Sequence, residues 1–466
     1  MQNVRLCLLA MIAVLMVGSW GLAQEPAKTT QQPNIVMIIS DDQGWMDYSF
    51  MGHPTIETPN LDKLAKQSAL FRRGYVPTAL CRPSLMTMIT GRYAHQHGVT
   101  GNDPSPKFSK RGTEDNDRRR AELITNIGKY PTIAKQLAEH GYRCHQSGKW
   151  WEGNFKQGGF TEGMTRGFPE PGGRHGDDGL KIGREGIEPV TKFIDSAVAD
   201  EKPFFVWYAP YLPHFPHTPP ERLFEKYSAK VESKSIAKYY AMCDWFDETC
   251  GQLINHLDEQ NLRDNTLIVY VCDNGWIQNP TSRGYLPRSK QTPYEGGIRT
   301  PILFCWPGKI DPSDRPELCS SIDLAPTILA AAGIKADADL PGLNLLPYLE
   351  DKTPIDRDTL FGETFAHDIA DINKPEASLM YRWCIQGKWK LLLTYDGEAY
   401  TNRAKFPRTD KRPQLFDLIA DPGETKNLAS ENPTVVAELA QKIKQWYPLT
   451  ERKTVEVWSD EAVGSK

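Results

Sequence analysis

The chain has 466 residues, of which 39% are hydrophobic and 24% are charged. This composition is typical of a globular protein and excludes a disordered, collagen-like or coiled-coil chain, because glycine and proline are scattered and no heptad persists. The formal net charge of −4 argues against nucleic acid as the main partner, since proteins that bind nucleic acid carry basic surfaces.

Residues 1–23 are typical of a secretory signal peptide. Arg5 precedes an apolar run at 6–17, and Gly21-Leu22-Ala23 then offers a cleavage site with small residues at 21 and 23. The run is shorter than the ~20 residues that a membrane span requires, so an uncleaved anchor is the less favoured alternative. We therefore expect a secreted or periplasmic protein with no stable membrane span, whose signal is followed by a polar linker at 24–33.

Strands and helices alternate along the next three hundred residues. Short apolar runs rich in β-branched or aromatic residues predict buried strands at 34–40, 142–146, 203–208 and 266–272. Amphipathic patterns predict helices from Thr58-Pro59, at 131–140 and at 236–257. This alternation predicts a parallel sheet covered by helices on both faces, with ligands at the carboxyl ends of its strands.

Two stretches of this region are predicted to be long loops. Residues 102–122 are rich in lysine and arginine, and a solvated surface loop is favoured there over a site for an anionic substrate. Residues 152–186 contain eleven glycines, which excludes a helix or a regular strand. Long loops in compact domains are often functional, so both are candidates for determining specificity.

The pattern changes after about residue 350. The predicted elements here are a hairpin around Gln386-Gly387, a strand at 414–418 and a helix at 433–447. We therefore expect a domain at 34–350 and a smaller α+β C-terminal subdomain at 351–466.

Acidic pairs follow two of the predicted strands. Asp41-Asp42 comes after the first strand and Asp273-Asn274 after the strand at 266–272. If these ends converge, three carboxylates and an amide offer oxygen ligands that suit Ca²⁺ or Mg²⁺ better than zinc. From these residues alone, ordinary turn and cap positions are the favoured alternative.

Cys81 lies just before Pro83, where a helix can begin. A helix N-terminus lowers the pKa of a thiol and favours anions. The alternative for Cys81 is a small buried side chain.

The order of these motifs resembles the formylglycine-dependent sulfatases of the alkaline-phosphatase superfamily. The resemblance spans about 33–430 and implies an α/β fold with a large mixed, mostly parallel sheet flanked by helices. The motifs that carry it are Asp41-Asp42, Cys81-x-Pro83-Ser84, Thr90-Gly91-Arg92, Gly148-Lys149-Trp150, Pro213-His214-x-Pro216, Cys272-Asp273-Asn274-Gly275, Glu295-Gly296-Gly297-x-Arg299 and Leu415-Phe416-Asp417-Leu418.

The resemblance also implies roles for individual residues. Cys81 matches the cysteine that a formylglycine-generating enzyme oxidises, giving an aldehyde hydrate that attacks the sulfur of a sulfate ester. Lys149 and Lys290 match the lysines that hold sulfate oxygens, and His214 matches a histidine near the leaving oxygen, a candidate general acid. The residues that match the Ca²⁺ ligands, beside position 81 itself, are Asp41, Asp42, Asp273 and Asn274.

Two positions depart from the family pattern. Leu85 replaces an arginine that supports recognition by the oxidising enzyme, and Arg82 on a different helix face is a poor substitute. Trp151 replaces a histidine linked to breakdown of the covalent sulfate intermediate, with Glu152 as a conceivable substitute base. These departures affect turnover more than binding.

The sequence therefore favours a secreted hydrolase of a sulfate ester, carried by a carbohydrate or an aryl group, with one Ca²⁺ ion. One alternative is a phosphodiesterase or phosphonate hydrolase of the same superfamily. Another is a catalytically impaired protein that binds sulfated glycans.

Overall fold

The computed structural model describes residues 32–394 and 412–449, so the predicted signal peptide and most of the linker lie outside the described residues. The strands are β1 Asn34–Ser40, β2 Ala69–Tyr75, β3 Asp103–Pro104, β4 Arg143–Gly148, β5 Glu162–Gly163, β6 Phe204–Ala209, β7 Thr266–Cys272, β8 Arg299–Cys305, β9 Ser313–Arg315, β10 Cys319–Ser320, β11 Thr359–Phe365, β12 Asp368–Ile369, β13 Leu379–Gln386, β14 Trp389–Thr394 and β15 Gln414–Asp417. The helices are α1 Pro59–Lys66, α2 Cys81–Thr90, α3 Ala94–His97, α4 Glu114–Ile124, α5 Ile133–Glu139, α6 Glu188–Ala199, α7 Glu221–Ser228, α8 Lys234–Glu259, α9 Glu295–Ile298, α10 Leu324–Ala331, α11 Leu346–Asp351 and α12 Pro433–Trp446.

The large sheet has the strand order β10-β2-β8-β7-β1-β6-β4-β5, with β9 paired to β2. β1 lies in the middle, parallel to both β6 and β7, and β8 runs antiparallel to its neighbours. In the register of β1 and β7, Ser40 is opposite Cys272. The residues that follow these two strands therefore emerge at the same edge of the sheet.

Alternate residues of β1 belong to opposite hydrophobic layers. Ile35, Met37 and Ile39 lie in one buried cluster, and Val36 and Ile38 lie in the other. Such a strand has no polar face, because helices cover a parallel sheet on both sides. This explains why the buried strands are readable as continuous apolar runs.

A second, antiparallel sheet has the order β11-β13-β14-β15 and is packed against α12. The predicted hairpin is present, with β13 and β14 joined across Gln386-Gly387. The predicted fold class is thus confirmed: a large mixed, mostly parallel sheet flanked by helices, with a small C-terminal α+β region. The domain boundary at 350 stays a prediction.

One predicted loop is wrong. Residues 102–122 include most of helix α4, whose N-terminus is capped by the side chain of Thr113. Asp115 pairs with Arg118 and Arg119 at helical spacing. These charged pairs and the cap stabilise a helix that buries few apolar side chains. The glycine-rich stretch at 152–186 is irregular, as predicted, apart from β5 and short 3₁₀ turns.

The strands predicted at 34–40 and 266–272 have the predicted ends, and the other predicted helices and strands are present with ends shifted by a few residues. None of the helices in the described ranges is both long and apolar enough to cross a membrane. All eight cysteines within these ranges are buried and free of disulfides.

Candidate active site

The acidic pairs meet at the edge of the sheet where β1 and β7 end. The backbone N–H of Asp42 donates to Oδ1 of Asp273 over 3.1 Å, and Nδ2 of Asn274 donates to Oδ1 of Asp42 over 2.7 Å. Asp42 has a φ of 60°, a left-handed conformation that aspartate tolerates better than most residues. The sharp turn brings Asp41, Asp42, Asp273 and Asn274 into one buried group.

Cys81 is the first residue of α2 and points into this group. Its Sγ lies 3.4 Å from Oδ1 of Asn274 and 3.8 Å from Oδ1 of Asp42. Pro83 in the first helical turn costs no hydrogen bond, because the N–H groups there have no partner within the helix. Burial, with the nearby carboxylate of Asp273, raises the pKa of the Cys81 thiol well above its usual value. As a protonated thiol, Cys81 is a weak nucleophile.

Two buried lysines complete the charges. Lys149 Nζ is 2.6 Å from Oδ1 of Asp41 and 3.7 Å from Oδ2 of Asp273. Lys290 Nζ is 2.5 and 2.7 Å from the two oxygens of Asp42 and 3.0 Å from Cys81 Sγ. We call the carboxylates of Asp41, Asp42 and Asp273 with these two lysines the acidic centre.

The position of Lys149 depends on the preceding glycine. Gly148 has a φ of +87°, and a Cβ atom there would lie 1.8 Å from the backbone oxygen of Ala209. Only glycine allows β4 to approach the end of β6 this closely. The lysine that follows is thereby directed toward Asp41.

His214 reaches the centre from the segment after β6. Its Nε2 lies 3.2 Å from Oδ2 of Asp42, and its Nδ1 lies 2.5 Å from the carbonyl oxygen of Phe215. The ring stacks on Tyr211, with centroids 4.3 Å apart. Burial lowers the pKa of His214 well below its usual value, although Asp42 opposes this shift. Because a carbonyl oxygen only accepts hydrogen bonds, the proton of the neutral ring lies on Nδ1, and Nε2 faces Asp42 without one.

The acidic centre carries one more negative charge than its lysines neutralise. Oδ2 of Asp41 and Oδ2 of Asp273 are buried without a hydrogen-bond partner. Burial, assisted by the other carboxylates, raises the pKa of Asp41 well above its usual value and also raises that of Asp273. Without a further cation, such a site retains a proton to offset its excess charge.

The donor set fits a hard divalent cation. Ligand atoms of Asp41, Asp42, Cys81 and His214 all lie within 4.8 Å of one another. Asp273 is outside this group, and its Oδ1 contacts the backbone of Asp42. Carboxylate oxygens are the preferred ligands of Ca²⁺, and Oδ2 of Asp41 and Oδ2 of Asp273, which make no hydrogen bond, would be available to bind it. The five-residue calcium site inferred from the sequence remains a prediction.

The two departures from the family pattern are both buried. Leu85 is part of the hydrophobic core. Trp151 is 5% exposed, with its ring 5.0 Å from Lys149 Nζ and 5.5 Å from the ring of His175. Trp151 thus fills space beside Lys149 and presents little surface for stacking on a sugar.

An ion pair that no sequence motif predicted joins the neighbours of these two positions. Nε of Arg82 donates to Oε1 of Glu152 over 2.7 Å, and Nη2 donates to Oε2 over 2.8 Å. Both side chains are buried. Because both carboxylate oxygens are engaged, the suggestion that Glu152 serves as a free base is wrong. The only signal in the sequence was a positive residue directly after Cys81 and a negative residue directly after Trp151.

Two protein-family descriptions match the chain. "Sulfatase" matches residues 33–334, and "N-sulphoglucosamine sulphohydrolase, C-terminal" matches residues 287–448. Together they cover nearly all the residues that the structure describes.

Individual relatives are similar over nearly their whole length. Human arylsulfatase A is 28% identical over 93% of this chain and 89% of its own. An N-acetylgalactosamine-6-O-sulfatase of Bacteroides thetaiotaomicron is 25% identical over 95% of this chain and 99% of its own. The crystal structure of Ps i-CgsB superposes with a TM-score of 0.69 at 26% identity, covering 89% of this chain and 93% of that one.

Proposed function

The chain belongs to the sulfatase family and is a sulfuric ester hydrolase, and from this premise we propose that it is exported and hydrolyses a sulfate ester of a carbohydrate at the acidic centre. In this proposal residue 81 acts as formylglycine beside one calcium ion. The main support for this proposal is that Lys290 contacts both Asp42 and Cys81, while His214 contacts Asp42 from another segment of the chain.

The charges of the centre favour a singly charged ester. Three carboxylates and two lysines leave one excess negative charge, which a divalent cation reverses to one excess positive charge. A sulfate ester, with its single negative charge, then makes the site neutral. A phosphate monoester with two negative charges would leave an uncompensated charge in a buried site, which is costly.

Residue 81, once oxidised, would supply the nucleophilic oxygen, and a calcium ion held by the carboxylates of the acidic centre would supply positive charge to polarise the sulfate. Lys149 and Lys290 hold sulfate oxygens, because their ammonium groups are fixed before the substrate binds and are shielded from water. In the proposed step His214 is the general acid: its Nε2 takes up a proton beside the carboxylate of Asp42 and passes it to the oxygen of the departing alcohol. Tyr211 keeps the imidazole in place by stacking on it.

The names of the relatives support the substrate class. Arylsulfatase A and N-acetylgalactosamine-6-O-sulfatase are named for an aryl sulfate and a sulfated amino sugar. For this chain we propose sulfated carbohydrates as the physiological substrate class, and aryl sulfates serve as convenient test substrates.

Mass spectrometry of the peptide containing Cys81 tests this function, combined with aryl sulfate hydrolysis by the same preparation. The protein is produced with a formylglycine-generating enzyme, in parent form and as Leu85→Arg. We expect formylglycine at residue 81, hydrolysis in proportion to its content, and no hydrolysis by Cys81→Ala. An unmodified thiol in both forms would favour the binding-protein alternative. Hydrolysis of a phosphonate ester in preference to every sulfate ester would favour the other hydrolase.

A further inference from the structure

A second charged cluster lies near the acidic centre. Asp103 is 1% exposed, and its carboxylate accepts hydrogen bonds from Nη2 of Arg120 at 2.8 Å and Nε of Arg174 at 2.8 Å. Nη2 of Arg111 lies 3.8 Å from the same carboxylate. We call Arg111, Arg120 and Arg174 around Asp103 the arginine cluster.

The three arginines of the cluster outnumber the two carboxylates that lie within 4 Å of them, and Asp117 acts on Arg120 from farther away. Asp103 contacts all three arginines, and Asp368 lies 3.4 Å from Arg111. The side chains of Arg111 and Arg174 are 54% and 36% exposed, whereas that of Arg120 is 12% exposed. Asp103 and Arg120 thus form a buried base that positions two accessible guanidinium groups.

Two connections join the cluster to the acidic centre. Asn102, next to Asp103, accepts a hydrogen bond from the backbone N–H of Arg82 through Oδ1 over 3.2 Å. Arg82 directly follows Cys81. The cluster is therefore tied through one residue to the first turn of the helix that carries residue 81.

The second connection is the wall beside Lys149. Lys149 Nζ lies 5.0 Å from the ring of Trp151, which lies 5.5 Å from the ring of His175. His175 follows Arg174 directly, and its Nδ1 is buried without a hydrogen-bond partner, as is Nε of Arg120. Two ring contacts thus separate the lysine of the acidic centre from an accessible arginine.

We propose that Arg174 and Arg111 form a second anion-binding subsite, which takes a carboxylate or a further sulfate group of the same saccharide whose sulfate ester lies at the acidic centre. This inference rests on the proposed function and narrows its substrate to saccharides with at least two anionic groups. Arg174 uses Nε and Nη2 for Asp103, which leaves Nη1 for a ligand. Guanidinium groups suit planar carboxylates and sulfate oxygens because they donate parallel hydrogen bonds.

Calorimetric binding to Cys81→Ala protein, which cannot turn over, tests the subsite. Two pairs of ligands are compared. Glucosamine 2-N,6-O-disulfate has an N-sulfate where N-acetylglucosamine 6-sulfate has an N-acetyl group, and the unsaturated chondroitin 6-sulfate disaccharide adds a whole uronate residue, with its carboxylate, to N-acetylgalactosamine 6-sulfate. We expect Arg174→Ala and Arg111→Ala to weaken binding of the doubly charged member of a bound pair about tenfold, as for a lost charge-assisted contact. Binding of the singly charged member should change less than about twofold.

Arg166→Ala is the matched control, because Arg166 lies on the same glycine-rich stretch, is 52% exposed and pairs with Asp178. This substitution should leave the affinity for both members of each pair unchanged. Arg174→Lys, which keeps the charge, should retain part of the preference. If Cys81→Ala protein with both arginines intact binds the two members of every pair equally, or binds none of the ligands, the subsite is contradicted. Equal weakening of both members by Arg174→Ala assigns the cluster a purely structural role. Hydrolysis of 4-nitrophenyl sulfate, which has one anionic group, reports separately whether the proposed function holds.

Discussion

The acidic centre and the arginine cluster are both built around a buried aspartate held by cations, but their excess charges have opposite signs. In the centre, Asp42 contacts Lys290 and His214, yet carboxylates outnumber lysines. Around Asp103, the three arginines outnumber the two carboxylates in contact with them. The sign of the excess charge therefore indicates the ligand of each region. Excess negative charge in the acidic centre favours a cation, and excess positive charge in the arginine cluster favours an anion.

The two regions also differ in their contact with water. The groups of the centre are nearly inaccessible, so their interactions are strong and an unpaired charge there is costly. Arg111 and Arg174 remain accessible, so solvent and salt weaken each contact that they make. Changes to the centre should therefore have larger effects than changes to the cluster.

The largest effect is expected at the balanced ion pair that lies between the two regions. Glu152→Gln leaves the Arg82 guanidinium buried without its countercharge, which should lower the free energy of unfolding by about 3–5 kcal/mol. Denaturant titration measures this loss. The double variant Arg82→Met with Glu152→Leu removes both charges and should recover most of the stability. A single variant as stable as the parent would show that this pair does not brace the site.

A somewhat smaller effect is expected for Lys290→Ala. Removing a fixed cation that faces developing charge typically lowers kcat by about 10²–10³-fold, and the same change should weaken inhibition by inorganic sulfate. Steady-state hydrolysis of an aryl sulfate measures both. Lys309→Ala, at an exposed lysine, is the control. Unchanged kcat and unchanged sulfate inhibition in Lys290→Ala would place the ester elsewhere.

The smallest effect concerns His175, which lies between the two regions. Burial, assisted by Lys149 and Arg174, lowers the pKa of His175 from 6.5 to about 3. The folded state thus binds this proton less tightly than the unfolded state, so the contribution of His175 to stability is complete above pH 6.5 and is lost as pH falls toward 3. In NMR titration its ring signals should stay constant from pH 8 to 5, and Arg174→Ala should raise the midpoint. A titration midpoint near pH 6.5 in the parent protein would contradict the proposed effect of burial and the neighbouring cations on His175.

The strands of the sheet can be predicted from the sequence far better than the ion pairs that join distant segments of the chain. β1 and β7 are readable because buried parallel strands are continuous apolar runs. Helix α4 is missed because its cap at Thr113 and its charged pairs replace the usual apolar stripe. The pair of Arg82 with Glu152 joins residues far apart in the chain, and no local pattern specifies such a contact. The candidate site residues came from the family resemblance, whereas periodicity alone left ordinary turns favoured.

The most direct test of the central claim, that excess negative charge at the acidic centre binds a divalent cation, is a calorimetric calcium titration of chelator-treated protein. We predict one ion per chain, loss of binding in Asp42→Asn, and retained binding in Arg174→Ala, because the arginine cluster takes an anion. Absence of calcium uptake by the parent, or uptake that Asp42→Asn leaves unchanged, would contradict the claim.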